Sequence, residues 1–235
     1  MRLIIKLIFG FIVIIVLVVG YFILRQPGMI GRSYQLAIWL KNPRQSIARS
    51  IKAGDKCVDA PFIFPTDGMI AYLWDDSFRA GHHHQGIDIF GGKVAGITPV
   101  YAAYPGFLTR LAEWKSSIII RIPDDPLKPD RQIWTYYTHL ADANGNSFIT
   151  DEFPPGTQEV FVEAGTLLGY QGNYSGKINN PVGVHLHFSI VMDDGQGKFK
   201  NELEIKNTID PSPYFRMDLN AQSNLNQVPV CTTSK

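Results

Sequence analysis

Five of the chain's six histidines fall in two short segments rich in strand-forming residues. The first is Gly81-His82-His83-His84-Gln85-Gly86-Ile87-Asp88-Ile89-Phe90, the second Val184-His185-Leu186-His187-Phe188. Side chains on a strand alternate faces, so residues two and four apart share one. His84 and Asp88 then share a face with only the bare Gly86 between them, and His185 and His187 share another. If the two strands lie side by side, a metal ion can sit over His84, Asp88 and one histidine of the second pair. That would make neighbours of segments far apart in the chain, a strong constraint on topology. Two imidazoles and a carboxylate suit zinc, and three protein ligands leave a fourth position open, as in catalytic sites. The plainer alternative is a solvated histidine tract and water-facing strand histidines. Two clusters with strand-compatible spacing in so histidine-poor a chain weigh against it.

From Cys57 onward the pattern predicts a β-rich domain. Residues 118–122, 133–140, 159–163, 167–171 and 184–192 read as strands, separated by Gly, Pro, Asn and Asp clusters. No helical period of useful length appears there, and the strands are expected to be mostly antiparallel. Residues 128–132, 145–156 and 193–206 read as long loops, the expected walls of a groove.

The ends of the chain differ from this. Residues 7–24 carry no charge, and Arg2, Lys6 and Arg25 flank them. The run is long enough for one transmembrane helix, assigned to residues 1–26. The rival reading is a cleaved signal peptide over residues 7–20, which would make the protein secreted, but no A-x-A-like cleavage site is present. Residues 27–56 read as a juxtamembrane linker. Asn42 at an N-cap, Pro43 at the first helical position and Gly54 past the end predict a short helix over 44–53. The domain is assigned to 57–216, and the polar stretch 217–235 to a tail with little structure. The two cysteines, Cys57 and Cys231, either pair or stay free, since two cysteines fix no framework. With 235 residues, 45% hydrophobic, and a net charge of +1, the chain can bury one medium core and offers no basic surface for nucleic acid.

Several motifs together resemble the lysostaphin-type (LytM-like) zinc metallopeptidases. His84-Gln85-Gly86-Ile87-Asp88 is similar to that family's H-x-G-x-D motif, His185-Leu186-His187-Phe188 to its H-x-H motif, and Tyr137-Thr138-His139-Leu140 to its Y-x-H-L segment. Thr98-Pro99-Val100-Tyr101-Ala102-Ala103 and Asp210-Pro211-Ser212-Pro213-Tyr214 resemble the strand after the first motif and the closing segment. The resemblance spans residues 61–215. It departs at Asn180-Pro181-Val182-Gly183-Val184, where the family has a small-residue turn, and at Ser189, where a glutamate is common; both are expected to alter the cleft wall. The resemblance implies a mainly β fold, an open antiparallel sheet with a groove and a duplicated hybrid motif. It implies zinc on His84, Asp88 and His187, with His82 and His83 as rivals of His84 that the motif does not favour. His139 and His185 take the proton-transfer roles it implies, in place of the absent H-E-x-x-H glutamate. Zinc lowers the pKa of its bound water from about 15.7 to about 7, so this water is the expected nucleophile. The implied substrates are peptidoglycan stem or cross-bridge peptides, cut from the outer face of a bacterial cell membrane. A scaffold that binds wall peptides without cleaving them, or activates another hydrolase, is the alternative. A zinc enzyme acting on another peptide or amide is a third reading.

Overall fold

Within the β region, the runs richest in isoleucine and valine lie in the middle of the sheet. The computed structural model describes residues 2–25, 27–43, 49–77, 81–224 and 227–231, with side chains in the first two helices at 4, 6–20 and 31–41. Its helices are α1 (Arg2–Arg25), α2 (Pro27–Lys41) and the short α3 (Ser212–Phe215). Its strands are β1 (Met69–Tyr72), β2 (Ile87–Phe90), β3 (Pro99–Tyr101), β4 (Gly106–Thr109), β5 (Ile118–Ile122), β6 (Ile133–Thr138), β7 (Val160–Val162), β8 (Leu167–Tyr170), β9 (Leu186–Met192) and β10 (Thr208–Ile209). An eight-stranded sheet runs β1-β2-β9-β6-β5-β4-β7, with β10 on β9 beyond the end of β2; β3 and β8 form a second, two-stranded sheet. Every pairing is antiparallel.

Strands β5 and β9 are covered on both faces. They therefore read as near-continuous apolar runs and not as an alternation. Tyr137 and Phe188 face each other across β6 and β9 and meet edge to face with ring centroids 5.2 Å apart, at the centre of the main core. The register across β2, β9 and β6 places Asp88 opposite His187 on one side and Thr138 opposite His187 on the other. The neighbouring-strand relation expected of the two histidine segments is thus present.

The structure corrects the sequence reading of both ends. Residues 27–56 are not a free linker. Helix α2 packs Leu36 and Trp39 onto Met69, Ala71 and Phe90, and its Arg32 is wholly buried. Buried Arg32, Leu36 and Trp39 recur at helical spacing, but an arginine in that stripe reads from sequence as a solvated residue. Of the helix expected over 44–53, Arg49 is helical, in a 3-10 turn, and residues 50–53 are not. Ile51 bonds Gly68 in a β-bridge, and Ala53 and Gly54 form a turn; residues 44–48 lie outside the described residues. Ile51 thereby joins the sheet side of the core, a contact no helix could make. Nor are the described residues 217–224 and 227–231 a loose tail. Met217 and Leu219 are buried, Trp74 pairs with Asn220, and Cys57 and Cys231 form a disulfide. Along α1, side chains from Leu7 to Val19 are exposed. Over the described side chains, no helix is long and apolar enough to cross a membrane.

Candidate metal centre

Asp88 and His187 come together because β2 and β9 pair in register. His84 arrives by another route. The strand expected through residues 82–90 begins only at Ile87, and His84 sits on the loop before it. Gly86 makes the bend: a Cβ there would lie 2.1 Å from the Phe188 carbonyl oxygen, so only glycine lets the loop cross so close to β9. Residues 73–76 then hold His84. Its N–H donates to the Asp76 carbonyl at 2.7 Å, its carbonyl accepts the Asp75 N–H at 2.8 Å, and its ring Nδ1 lies 2.8 Å from the Leu73 carbonyl.

Three ligand atoms converge. His84 Nε2 is 3.1 Å from Asp88 Oδ1 and 3.0 Å from His187 Nδ1, and His187 Nδ1 is 2.9 Å from Asp88 Oδ1. All three residues are buried. A tetrahedral zinc ion with bonds of about 2.0–2.1 Å needs ligand atoms roughly 3.3 Å apart, so an opening of a few tenths of an ångström would admit one. The tautomers also suit a metal. A carbonyl can only accept, so His84 donates through Nδ1 to Leu73 and keeps the Nε2 lone pair. His187 donates through Nε2 to Glu202 Oε1 at 3.0 Å, which leaves Nδ1 for an ion; such outer partners orient ligands in metal sites. The structure separates the rival histidines. His185 Nε2 lies 3.5 Å from Asp88 Oδ1, farther than His187. His83 pairs with Asp75, and His82 lines the cleft outside the cluster.

Burial acts to raise the Asp88 pKa, but His84, His185 and His187 outweigh it and hold the carboxyl well below its usual range. Burial acts to lower the His187 pKa, but Asp88 and Glu202 outweigh it and lift the ring to about 10, so without an ion Nδ1 also carries a proton, toward Asp88, which a bound metal would have to displace. For His139, burial together with His185 and His187 brings the pKa down to about 3. His139 is therefore a neutral imidazole across the ordinary pH range. Its backbone lies at φ 71°, a strained value for a residue with a side chain. That kink ends β6 and leaves the His139 ring 4.5 Å from the His185 ring. His139 Nδ1 lies 2.6 Å from the Tyr174 carbonyl, and His185 Nδ1 2.6 Å from the Gly183 carbonyl. Both rings can thus donate through Nδ1, which leaves Nε2 as the remaining ring nitrogen of each. Phe90 stacks on His185 at 4.9 Å.

These groups line a cleft of about 730 Å³. Its floor carries hydroxyls: Tyr136 donates to Ser117 at 2.9 Å, and Ser117 lies 2.7 Å from Thr138. Of the three long loops expected as walls, only 193–206 lines it, through Glu202 and Leu203; 174–183, Tyr72 of β1 and Leu36 of α2 also contribute. Val182 and Gly183, within the divergent stretch 180–184, do line the cleft, whereas Ser189 is buried against Gly86 and does not. Sequence reasoning missed Glu202, Tyr136, Ser117 and Leu36, since no spacing rule ties them to the histidines.

No protein-family model matches the chain, and no curated protein matches its sequence. Solved structures are similar in fold. The catalytic domain of lysostaphin from Staphylococcus simulans is 17% identical, with a TM-score of 0.39 over 67% of this chain and 93% of that one. Against the whole lysostaphin, the chain spans 50% of the enzyme's length. The catalytic domain of the prophage-encoded protein EnpA from Enterococcus faecalis is 19% identical, with a TM-score of 0.38 over 66% and 95%. A zinc containing peptidase from Vibrio cholerae is 16% identical, with a TM-score of 0.36 over 66% and 40%. Likeness at this level carries no argument by itself, and function has to rest on this chain's own side chains.

Proposed function

We propose that the chain is a zinc-dependent endopeptidase that hydrolyses peptide bonds of bacterial peptidoglycan. The observation that carries this reading is the convergence of His84 Nε2, Asp88 Oδ1 and His187 Nδ1 within 3.1 Å of one another, in a cleft that also holds two further histidines, His139 and His185, each anchored through Nδ1. Zinc bound there would supply Lewis acidity and an acidified water. The protein's own groups supply the rest. His84 and His187 are oriented by Leu73 and Glu202. His139 and His185 lie where a proton can be taken from water or given to a leaving amine through Nε2. Ser117, Tyr136 and Thr138 offer hydroxyls along the floor for the amide groups of an extended peptide.

The wall substrate follows from the motif resemblance and fits a domain held just outside a membrane. The exposed apolar side chains of α1 support that placement, as does the uncharged run 7–24. Arg32 is buried in the fold and is not a free charge flanking the anchor, which removes one argument against an outside domain. The test is digestion of purified peptidoglycan by the full chain in detergent, with mass spectrometry of the products. New peptide termini should appear with zinc, vanish with a chelator and return when zinc is restored. A protein that binds zinc and wall peptides but produces no new termini would replace this reading with the scaffold.

A further inference from the structure

We propose that Arg32 of α2 is a positioning residue for His84, so that the helix ahead of the sheet is part of the metal centre. The proposal rests on the metal reading given above. Arg32 has no solvent exposure. Its Nε donates to the Ala71 carbonyl at 3.1 Å, its Nη1 to the Asn224 carbonyl at 2.9 Å, and its Nη2 pairs with the Asp76 carboxylate. The second Asp76 oxygen accepts the Leu73 N–H at 2.7 Å. One arginine therefore fixes the turn 73–76 from α2, from the end of β1 and from the C-terminal segment.

That turn is what holds His84. The ligand is not on a strand, so no ladder sets its position. It is fixed by the three bonds to Leu73, Asp75 and Asp76. Asp75 sits at φ 68°, a conformation that needs support from its surroundings. Removing a charge from water is expensive and is offset only when every partner is in place. Here the charge is paired with Asp76 in the turn that holds a ligand, and the other two partners, Ala71 and Asn224, flank it. A neutral scaffold could dock α2 through Leu36 and Trp39 alone.

The competing view is that Arg32 merely fastens α2. Arg110 provides a matched comparison. It too is buried, with Nε on the Trp114 carbonyl at 3.2 Å, Nη1 on the Phe153 carbonyl at 2.8 Å and Nη2 on Ser147 at 3.1 Å. None of these partners touches the ligands. The experiment compares the full chain, Arg32→Lys and Arg110→Lys, each checked for folding by near-ultraviolet circular dichroism. Zinc affinity is read by competition with a chromophoric chelator, and the visible spectrum of bound Co²⁺ reports ligand geometry. A lysine ammonium cannot reach three partners at once. Arg32→Lys should therefore lose about tenfold in zinc affinity, the scale of outer partners of metal ligands, with a changed cobalt spectrum. Arg110→Lys should bind as wild type does. If Arg32→Lys does not fold, Asp76→Asn carries the test: it keeps the shape, but its single acceptor oxygen cannot serve both Arg32 and Leu73, and the same loss is expected. Wild-type affinity and spectrum in the folded position-32 or position-76 variant, or an equal loss in Arg110→Lys, would overturn the coupling alone. A wild-type chain that binds no zinc would overturn the metal reading and the coupling together.

Discussion

His185 and His187 stand two residues apart with different neighbours, and that difference predicts different consequences of losing each. His187 Nδ1 lies 2.9 Å and His185 Nε2 3.5 Å from the same Asp88 oxygen. His187→Ala and Asp88→Ala each remove one of three protein ligands, so zinc content and hydrolysis should fall together. His185→Ala and His139→Ala should keep zinc near stoichiometric while hydrolysis drops by about 100-fold or more, the scale of a lost acid–base group. Zinc by atomic absorption beside cleavage rate, for all four variants, checks this. If His185→Ala loses zinc while His187→Ala keeps it, the two roles are exchanged. At this scale spacing pointed to Asp88 and one of His185 and His187, because these follow strand alternation, and the choice of His187 came from the motif resemblance. The route of His84 was not legible, since it depends on Gly86 passing over β9 and on bonds to residues 73–76 that lie outside the motif. Glu202 was illegible for the same reason: its loop is brought to His187 by tertiary packing alone.

Strands β5 and β9 were legible because β-branched runs bounded by turn residues have few other fates. β6 was read two residues too far, through His139 and Leu140, since nothing in Thr138-His139-Leu140 announces a positive φ at His139. The fold's closure was harder to see. The disulfide joins residues separated by 174 positions, and sequence left it open against two free thiols. Closing so long a loop stabilises by on the order of 5 kcal/mol in the chain-entropy account. Cys57→Ser/Cys231→Ser should lower the denaturant midpoint by several kcal/mol equivalent without abolishing the sheet. A non-reduced digest should contain the linked peptide pair, and two freely alkylated thiols in the native protein would count against the bridge. A second element-scale prediction concerns alkaline pH. Tyr137 has no exposure, and burial, opposed by its bonds to Ala103 and Thr135, pushes its pKa up to about 12. The folded value lies above the unfolded value of about 10. Its contribution is therefore fully present below pH 10 and lost as pH rises through 12, on the order of 2 to 3 kcal/mol in all. Burial and Asp125 move Tyr214 in the same direction. Urea midpoints should hold steady to about pH 10 and then fall, less steeply in Tyr137→Phe. An identical fall in that variant would show that Tyr137 is not responsible.

For the whole molecule, the question is where the folded unit begins. The β-type residue pattern placed its start at Cys57, but side-chain packing places it in α2. Leu36 and Trp39 close the apolar cluster over Met69, Ala71 and Phe90, and full burial of two such side chains stabilises by roughly 4 to 6 kcal/mol. Deleting α2 would also leave Asp76 buried without its guanidinium, a change that costs about 3 to 5 kcal/mol when one partner of a buried pair is removed. Together these approach the net stability of a whole domain, about 5 to 15 kcal/mol. A fragment of residues 57–235 is thus expected to lose cooperative unfolding and high-affinity zinc binding, although it keeps all three ligands and both proposed catalytic histidines. A fragment of residues 27–235 lacks only α1, whose described side chains from Leu7 to Val19 touch little of the fold and are exposed. It should unfold cooperatively near the full chain's midpoint and stay in solution. The full chain should remain in the membrane fraction after an alkaline wash, with its domain open to added protease from outside. Circular dichroism melts and zinc titrations on the two fragments decide the first part, and fractionation of the full chain beside 27–235 decides the second. If 57–235 melts and binds zinc like 27–235, α2 is an appendage and the boundary at Cys57 stands. If the full chain washes off as readily as 27–235, α1 is not an anchor.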